Sequence, residues 1–197
     1  MANSNEMSLA WVLLMGKKFA GKDHFATYLQ SALTDAGLSV YRCAFADKVK
    51  EHFAHVNGLD FAGLLCDSRY KDQHRAKLIE MAERFKQEFG ADFWAKQLIE
   101  NVPHETYRIV LVTDWRFKEE LQALPPGANV ITIRIVATED ERLRNGWHPD
   151  LVLDNHYSET ALDNYTTTLE VHPASTNDHD ILSQIVVENI KIILQTE

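Results

Sequence analysis

The sequence predicts an α/β fold, a central parallel sheet of five strands flanked by helices, and three observations carry that expectation. Short apolar runs alternate with stretches of helical period along the chain. One run, Tyr107–Thr113, is apolar nearly throughout, as suits a strand covered on both faces. A glycine-bearing turn, Gly16 to Asp23, joins the first apolar run to the first amphipathic stretch, which is the order of a βα unit.

Taken in order, Ala10–Met15 is the first strand and His24 to Ala36 the first helix, with Phe25, Tyr28, Leu29, Ala32 and Leu33 at helical spacing and Gly37 as its stop. Leu38–Phe45 is a second strand, with Val40, Tyr41 and Phe45. From Ala46 to Val102 the pattern is helical. Asp47–Val56 ends at Asn57-Gly58, Phe61–Leu65 is a short turn, Ser68–Phe89 stops at Gly90, and Asp92–Val102 is capped by Asp92 and ended by Pro103. Tyr107–Thr113 is the third strand. Phe117–Leu124 is a short helix before the turn Pro125-Pro126-Gly127, and Val130–Ala137 is the fourth strand. Glu139–Arg144 is a short charged helix, 147–157 has little periodicity and reads as loop, and Thr166–Val171 is the last strand. Asp178–Gln195 closes the chain as an amphipathic helix with Leu182, Ile185, Val186, Ile190 and Ile193 on one side. Right-handed crossovers place helices on both sheet faces. One domain over 1–197 is expected, with 46–102 as a helical substrate-side region and 138–147 as a lid.

Composition narrows the function. The 197 residues are 45 % hydrophobic and 25 % charged, ordinary for a globular protein. A net charge of −9 argues against nucleic-acid or anionic-membrane partners but leaves room for a small anionic substrate held by local cations. The two cysteines, Cys43 and Cys66, form no C-x-x-C pair and read as buried free thiols. Nine histidines show no metal-ligand spacing. The polar stretch Met1 to Ser8 and a six-residue first apolar run resemble neither a signal peptide nor a membrane span, so a cytoplasmic protein is expected, and a monomer is the default expectation for its assembly.

The turn itself carries chemistry. Gly16-Lys17-Lys18-Phe19-Ala20-Gly21-Lys22-Asp23 follows G-x-x-x-x-G-K-[ST] except at its last position. Glycines let the backbone curl so that successive N–H groups face phosphate oxygens, the helix N-terminus adds its positive end, and Lys22 reaches the terminal phosphates. A Gly-rich βα turn with an exposed lysine is the plainer alternative, but it must also account for Lys17, Lys18 and Lys22 around one turn. Asp23 replaces the usual hydroxyl with a carboxylate that could hold Mg²⁺ through water or position a substrate.

Ligands of open α/β sheets bind beyond the carboxyl ends of the strands. There the third strand ends in Thr113-Asp114-Trp115-Arg116, where Asp114 suits Mg²⁺ or a helix cap and Arg116 suits phosphate. Arg134 lies within an apolar strand, so it is either ion-paired or aimed at phosphate. Arg142 and Arg144 sit on the lid, either over a transferring phosphate or on a solvated face. The helical region supplies Lys48, Arg69, Tyr70, Lys71 and Arg75, with Lys71 and Arg75 one turn apart and able to clamp a second anionic group.

Five segments, in order, resemble animal-type phosphomevalonate kinase within the P-loop nucleoside-monophosphate-kinase-like group. They are Gly16 to Asp23; Tyr70-Lys71 with Arg75; Leu111 to Arg116; Arg142 through Gly146-Trp147; and Ser158-Glu159-Thr160-Ala161-Leu162-Asp163-Asn164-Tyr165, similar to the family's S-E-x-x-L-D-N-[FY]. The resemblance covers essentially the whole chain. It implies a three-layer P-loop NTPase fold and transfer of the ATP γ-phosphate to mevalonate 5-phosphate. ATP would lie on Gly16, Lys17, Lys18, Gly21, Lys22 and Asp23, with Arg142 and Arg144 from the lid. Lys22, Asp23, Arg116 and Arg142 would serve catalysis, and Asp23 and Asp114 would hold Mg²⁺. The acceptor would meet Lys18, Lys48, Tyr70, Lys71, Arg75, Arg116, Arg134 and Asn164. Two positions depart from the family: Phe117 stands where a second arginine follows Asp-x-Arg, and Asn145 where an arginine precedes Gly-Trp.

The nearest rival is a phage-type deoxynucleoside-monophosphate kinase, which shares the G-K-x-x-x-G-K-D loop and needs a helical pocket for a base; Trp94 fits that pocket or a packed core equally well. A GTP switch lacks its N-K-x-D signature here. A non-catalytic phosphate-loop relic would bind ATP without turnover.

Overall fold

The computed structural model describes residues 9–150, 154–173 and 176–195. The polar start, the last two residues and 151–153 of the expected loop lie outside the described residues. The chain falls into two compact units, one of 1–43, 103–117 and 125–197, the other of 44–102 and 118–124.

The first unit contains the sheet. Its strands are β1 (Ala10–Met15), β2 (Val40–Cys43), β3 (Ile109–Val112), β4 (Asn129–Ile135) and β5 (Leu169–Val171), ordered β2-β3-β1-β4-β5. Every pairing is parallel. β1 is central and all six of its residues are buried. Ala10, Val12 and Leu14 point to one face, where they meet Phe25, Leu29 and Leu33 of α1 (Lys22–Asp35) and Val186, Val187 and Ile190 of the terminal helix, Thr176–Gln195. Trp11, Leu13, Val110 and Val112 point to the other and are equally buried, so alternation vanishes and the run looks continuously apolar in sequence.

The strands are shorter than their apolar runs. Phe45 begins a helix rather than ending β2, with Ala44, still extended, as its N-cap. Thr113 leaves the β3 ladder, although its N–H still donates to Cys43 O. In the terminal helix Ile185 is exposed and Val187 is buried in its place, a one-position rotation of the expected face. Cys43 is buried as expected, whereas Cys66 is exposed.

The second unit contains α2 (Phe45–Asn57), α3 (Phe61–Cys66), α4 (Ser68–Phe89), α5 (Phe93–Ile99) and α6 (Lys118–Gln122). Gly58 and Gly90 end α2 and α4 at positive φ, as their positions in the sequence require. Val49, Phe53, Leu64, Leu78, Met81 and Trp94 form the core of this unit. Asp92 occupies the N-cap of α5 without a capping bond; its carboxylate pairs instead with Lys96 Nζ at 2.7 Å. Asp60 and Asp67 do cap, each accepting two backbone N–H groups at the starts of α3 and α4.

Candidate active site

The phosphate loop begins where β1 ends. At Gly16 φ is +149°, and an added Cβ would lie 2.4 Å from Ile135 O on the neighbouring β4, so the position has room only for glycine. Gly21 (φ +89°) is the left-handed N-cap of α1. Phe19 also takes positive φ, at 60°, and leaves its ring half exposed at the loop's apex. These bends bring Lys22 to the first turn of α1, from which its Nζ curls back to donate to Gly16 O (2.8 Å) and Lys17 O (3.0 Å).

The Lys22 ammonium sits in a crowded field. Burial, then the positive Arg116, lowers its pKa to about 8, against an upward pull from Glu159, Asp23 and Asp114. The residues singled out at the ends of β1 and β3 therefore converge electrostatically on one lysine. Trp115 N–H donates to Leu14 O, which ties the Asp114-Trp115-Arg116 segment beside the start of the loop. The Asp23 side chain is 88 % exposed, with Oδ1 3.4 Å from Arg42 Nη2.

The Ser158–Tyr165 segment lies over this loop. It starts with α8 (Tyr157–Thr160), a short helix that begins on the last residue of the expected loop and is capped by the His156 ring accepting from Ser158 N–H. Three cations hold it. Lys17 Nζ donates to Glu159 O (2.7 Å) and Asp163 Oδ1 (2.6 Å). Arg116 donates to Ser158 O (3.2 Å) and pairs with the Glu159 carboxylate. Arg134 donates to Leu162 O (2.9 Å) and Tyr165 O (2.6 Å), with Nε 3.2 Å from Glu170. Of the two alternatives for Arg134, the ion pair is what the structure contains. Glu159 Oε2 also accepts the Lys18 N–H at 3.1 Å. A cavity of about 210 Å³ remains beneath, lined by Gly16, Lys17, Arg116, Arg134, Ala137 and Glu159 among others.

The 138–147 segment carries α7 (Glu139–Arg144), started by a Thr138/Glu141 capping box. The Thr138 N–H and hydroxyl hold the Glu141 carboxyl below its usual range. Arg142 Nε donates to Lys18 O (2.9 Å), and its guanidinium lies 3.7 Å from the centre of the Trp147 ring. Arg144 instead bonds its own helix at Asp140 O. Asn145, where the family carries arginine, donates to Phe19 O at 2.9 Å. The other departing residue, Phe117, stacks on Tyr157, centroids 5.5 Å apart. Trp147 Nε1 reaches the Asp154 carboxylate, which the Asp150 N–H above all holds low.

Asn164 is exposed in the turn after α8. The remaining expected acceptor residues lie in the helical unit. Lys48 pairs with Glu51 (2.7 Å) and Arg75 with Asp72 (2.6 Å). The Arg75 guanidinium draws the Asp72 carboxyl down, and Lys71 adds to the effect. Tyr70 packs edge-on to His74. Trp94 is buried, packs against Phe85 and Phe93 and donates to Ala82 O. The same unit has a cavity of about 480 Å³ walled by His52, Phe85, Phe93 and Trp94.

Sequence reasoning assigned no role to Glu159, Asp163 or Trp147. The signal for Glu159 was charge balance: an acid in a segment expected to lie among several cations is a candidate partner for them.

Among solved structures, the chain is similar to one of the RNA-dependent RNA polymerase of BmCPV in its quiescent state, with TM-score 0.57 and 14 % identity, over 93 % of this chain and 43 % of that one. That likeness concerns fold alone. Shikimate kinase from Aquifex aeolicus matches with TM-score 0.46 and 18 % identity, over 94 % of this chain and 96 % of that one. The Mycobacterium tuberculosis APS kinase CysC, in complex with AMPPNP and APS, matches with TM-score 0.49 and 13 % identity, over 93 % and 98 %. Likeness at those two levels says nothing about this chain's chemistry. The profile of the phosphomevalonate kinase family matches residues 14–128, more than half of the chain, and takes in the phosphate loop from its first glycine together with Asp114 and Arg116. The chain belongs to the phosphomevalonate kinase family and is a P-loop phosphotransferase.

Proposed function

We propose that the chain transfers the γ-phosphate of ATP to mevalonate 5-phosphate, as the animal-type enzymes of its family do. The observation that carries this reading is the convergence of Lys22, Asp23, Asp114 and Arg116 about a loop whose first residue can only be glycine. ATP phosphates would lie along the loop N–H groups, and the Lys22 ammonium would exchange its carbonyl partners for phosphate oxygens. Asp23 and Asp114 suit Mg²⁺, a hard cation that needs one or two carboxylates and takes its other ligands from phosphate and water. No cluster of three or more His, Cys, Asp or Glu side chains able to hold a metal occurs among the described residues. When bound, the ion neutralises charge on the transferring group.

The acceptor phosphate is already ionised at neutral pH, so positioning and charge neutralisation replace a general base. Arg116 and Lys18 would hold it beside the loop, with Arg134 behind them. Lys48, Tyr70, Lys71, Arg75 and Asn164 would contact the rest of the acceptor. Arg75 would leave Asp72 to do so; both side chains are about half exposed, so that pair costs little to break. Arg142 and Arg144 would serve ATP from the lid.

A coupled ADP-release assay with ATP and Mg²⁺ tests the acceptor, offering mevalonate 5-phosphate beside NMPs and dNMPs. Turnover with mevalonate 5-phosphate alone supports the proposal. Turnover only with a nucleotide refutes it and favours the phage-type reading, for which the ring-walled cavity of the helical unit offers a stacking surface. Lys22→Met should abolish transfer in a folded protein; full activity in that variant sinks the kinase reading of the loop.

A further inference from the structure

The Glu159 carboxylate touches more of the catalytic constellation than any role assigned to it explains. Its side chain is 3 % exposed. One oxygen pairs with the Arg116 guanidinium, the other accepts the N–H of Lys18 in the phosphate loop, and its backbone carbonyl accepts Lys17 Nζ. A carboxylate so deeply placed is costly unless its charge is matched and its lone pairs are used, and here both conditions hold. The Arg116 side chain is held by that carboxylate and also donates to Ser158 O. An arginine without such a partner would sample several rotamers, and each turnover would bear the entropy of fixing it.

We propose that Glu159 is a positioning residue for phosphoryl transfer: it clamps the Arg116 guanidinium against the Lys18 edge of the phosphate loop, so that both meet the transferring phosphate in one fixed geometry. The proposal rests on the kinase reading of the site. Glu159 itself does not touch substrate. It acts through Arg116 and through the Lys18 backbone. A bidentate carboxylate is needed for this, because two donors on different segments, β3's end and the loop, must be held at once. Glutamine keeps the shape but offers one good acceptor, so one of the two donors is released.

The test is steady-state kinetics of Glu159→Gln, Arg116→Gln and the double variant, on whichever acceptor the wild-type protein turns over. Clamping predicts that Glu159→Gln lowers kcat about 10- to 100-fold while KM for ATP moves less than about threefold. It also predicts that the double variant is no slower than Arg116→Gln alone, since Glu159 acts through that arginine. Unchanged kcat overturns the proposal. So does tighter phosphate binding with kcat retained, which would make the carboxylate a mere occupant of the anion site. Additive losses accompanied by a fallen melting temperature would make it structural and overturn it too. If Glu159→Gln does not fold, Glu159→Asp replaces it, retracting the carboxylate by one methylene: the same kcat loss at constant KM is expected, and wild-type kcat refutes the clamp. A wild-type protein inactive on every acceptor would instead strike at the kinase reading itself.

Discussion

Gly16 is the most tightly enclosed of the glycines, and replacing it with alanine should be far more damaging than replacing other glycines of positive φ. An added Cβ would stand 2.4 Å from Ile135 O and 3.4 Å from Ile135 C and Cβ. The first approach is one that real Cβ atoms do not make, and the obstructing atom is backbone, not a flexible side chain that could swing aside. Ile135 belongs to β4, which pairs with β1 up to Met15↔Arg134, so relief requires spreading two hydrogen-bonded central strands. Overpacking of this kind costs roughly 1–3 kcal/mol. Holding alanine at φ +149° adds about 1–3 kcal/mol more. The sum, about 2–6 kcal/mol, corresponds to a melting temperature lowered by roughly 5–20 °C for a chain of this size. Gly16 O also receives Lys22 Nζ, so any displacement moves the lysine and weakens nucleotide binding. Gly37→Ala is the control. It too has positive φ, at +81°, but its Cβ would meet nothing within 4 Å, so it bears only the backbone strain of about 1–3 kcal/mol and leaves the loop intact. Thermal melts and nucleotide titrations of the two variants decide the matter. If Gly16→Ala melts with Gly37→Ala and binds nucleotide as the wild type does, the steric argument is wrong.

Three further expectations follow from the same geometry. Lys22, with its pKa lowered to about 8 chiefly by burial, should lose its proton between pH 7 and 9, and since an anion binds the protonated form, metal-free pyrophosphate affinity should fall about tenfold per pH unit above 8; calorimetry showing flat affinity to pH 9.5 refutes this. Arg134→Gln removes a charged donor from Leu162 O and Tyr165 O, at about 1.5–3 kcal/mol for each such bond, so the amides of 161–165 should exchange hydrogen with solvent much faster than in the wild type; unchanged protection would show that the arginine does not hold the segment. His179, packed against His24, Phe25 and Tyr28, has its pKa lowered first by burial and then by His24, with Asp178 and Asp180 opposing. A depressed histidine is neutral in the fold and binds its proton more readily when unfolded. Its stability contribution is therefore full above pH 6.5 and lost as pH falls through the depressed value; melts at pH 7.5 and 5.0 should show a smaller acid loss in His179→Gln, and equal losses refute the assignment.

Much of the fold was legible because the sheet core is written in continuous apolar runs. β1 and β3 are buried on both faces, and β1 ends at Gly16, whose φ of +149° does not continue a strand. Boundaries failed where hydrophobicity continued past the ladder. Phe45 is apolar because it is buried in a helix, and burial alone does not tell strand from helix. Within the candidate site, the loop was legible because glycine geometry and lysine chemistry are local properties. The partners of Lys17, Arg116 and Arg134 were not, because Glu159, Asp163 and the carbonyls of Leu162 and Tyr165 lie between 28 and 146 residues away. Backbone carbonyls, moreover, leave no signature in a sequence. The exposed Ile185 and buried Val187 show the same limit in a helix: a 3.6-residue period fixes a face to within one position, and the neighbour decides the rest.

The two departures from the family pattern fit the charge arrangement the loop has adopted. Each cation around the 158–165 segment already has an acid: Lys17 has Asp163, Arg116 has Glu159, and Arg134 has Glu170. A second arginine at 117 would enter this matched set as an extra positive charge, lowering the Lys22 pKa further in the absence of phosphate, as Arg116 already does. Phe117 avoids that cost and supports α8 by stacking on Tyr157. Asn145 makes an analogous exchange after α7, where a neutral amide ties the helix end to Phe19 O while Arg142 supplies the charge near Lys18. The consequence for catalysis is directional. With fewer surplus cations waiting for substrate, more of the charge neutralisation proposed for the transferring phosphate falls to Lys22 and Arg116, so phosphoryl transfer in this chain should be more sensitive to loss of Arg116 than in a relative that keeps both arginines.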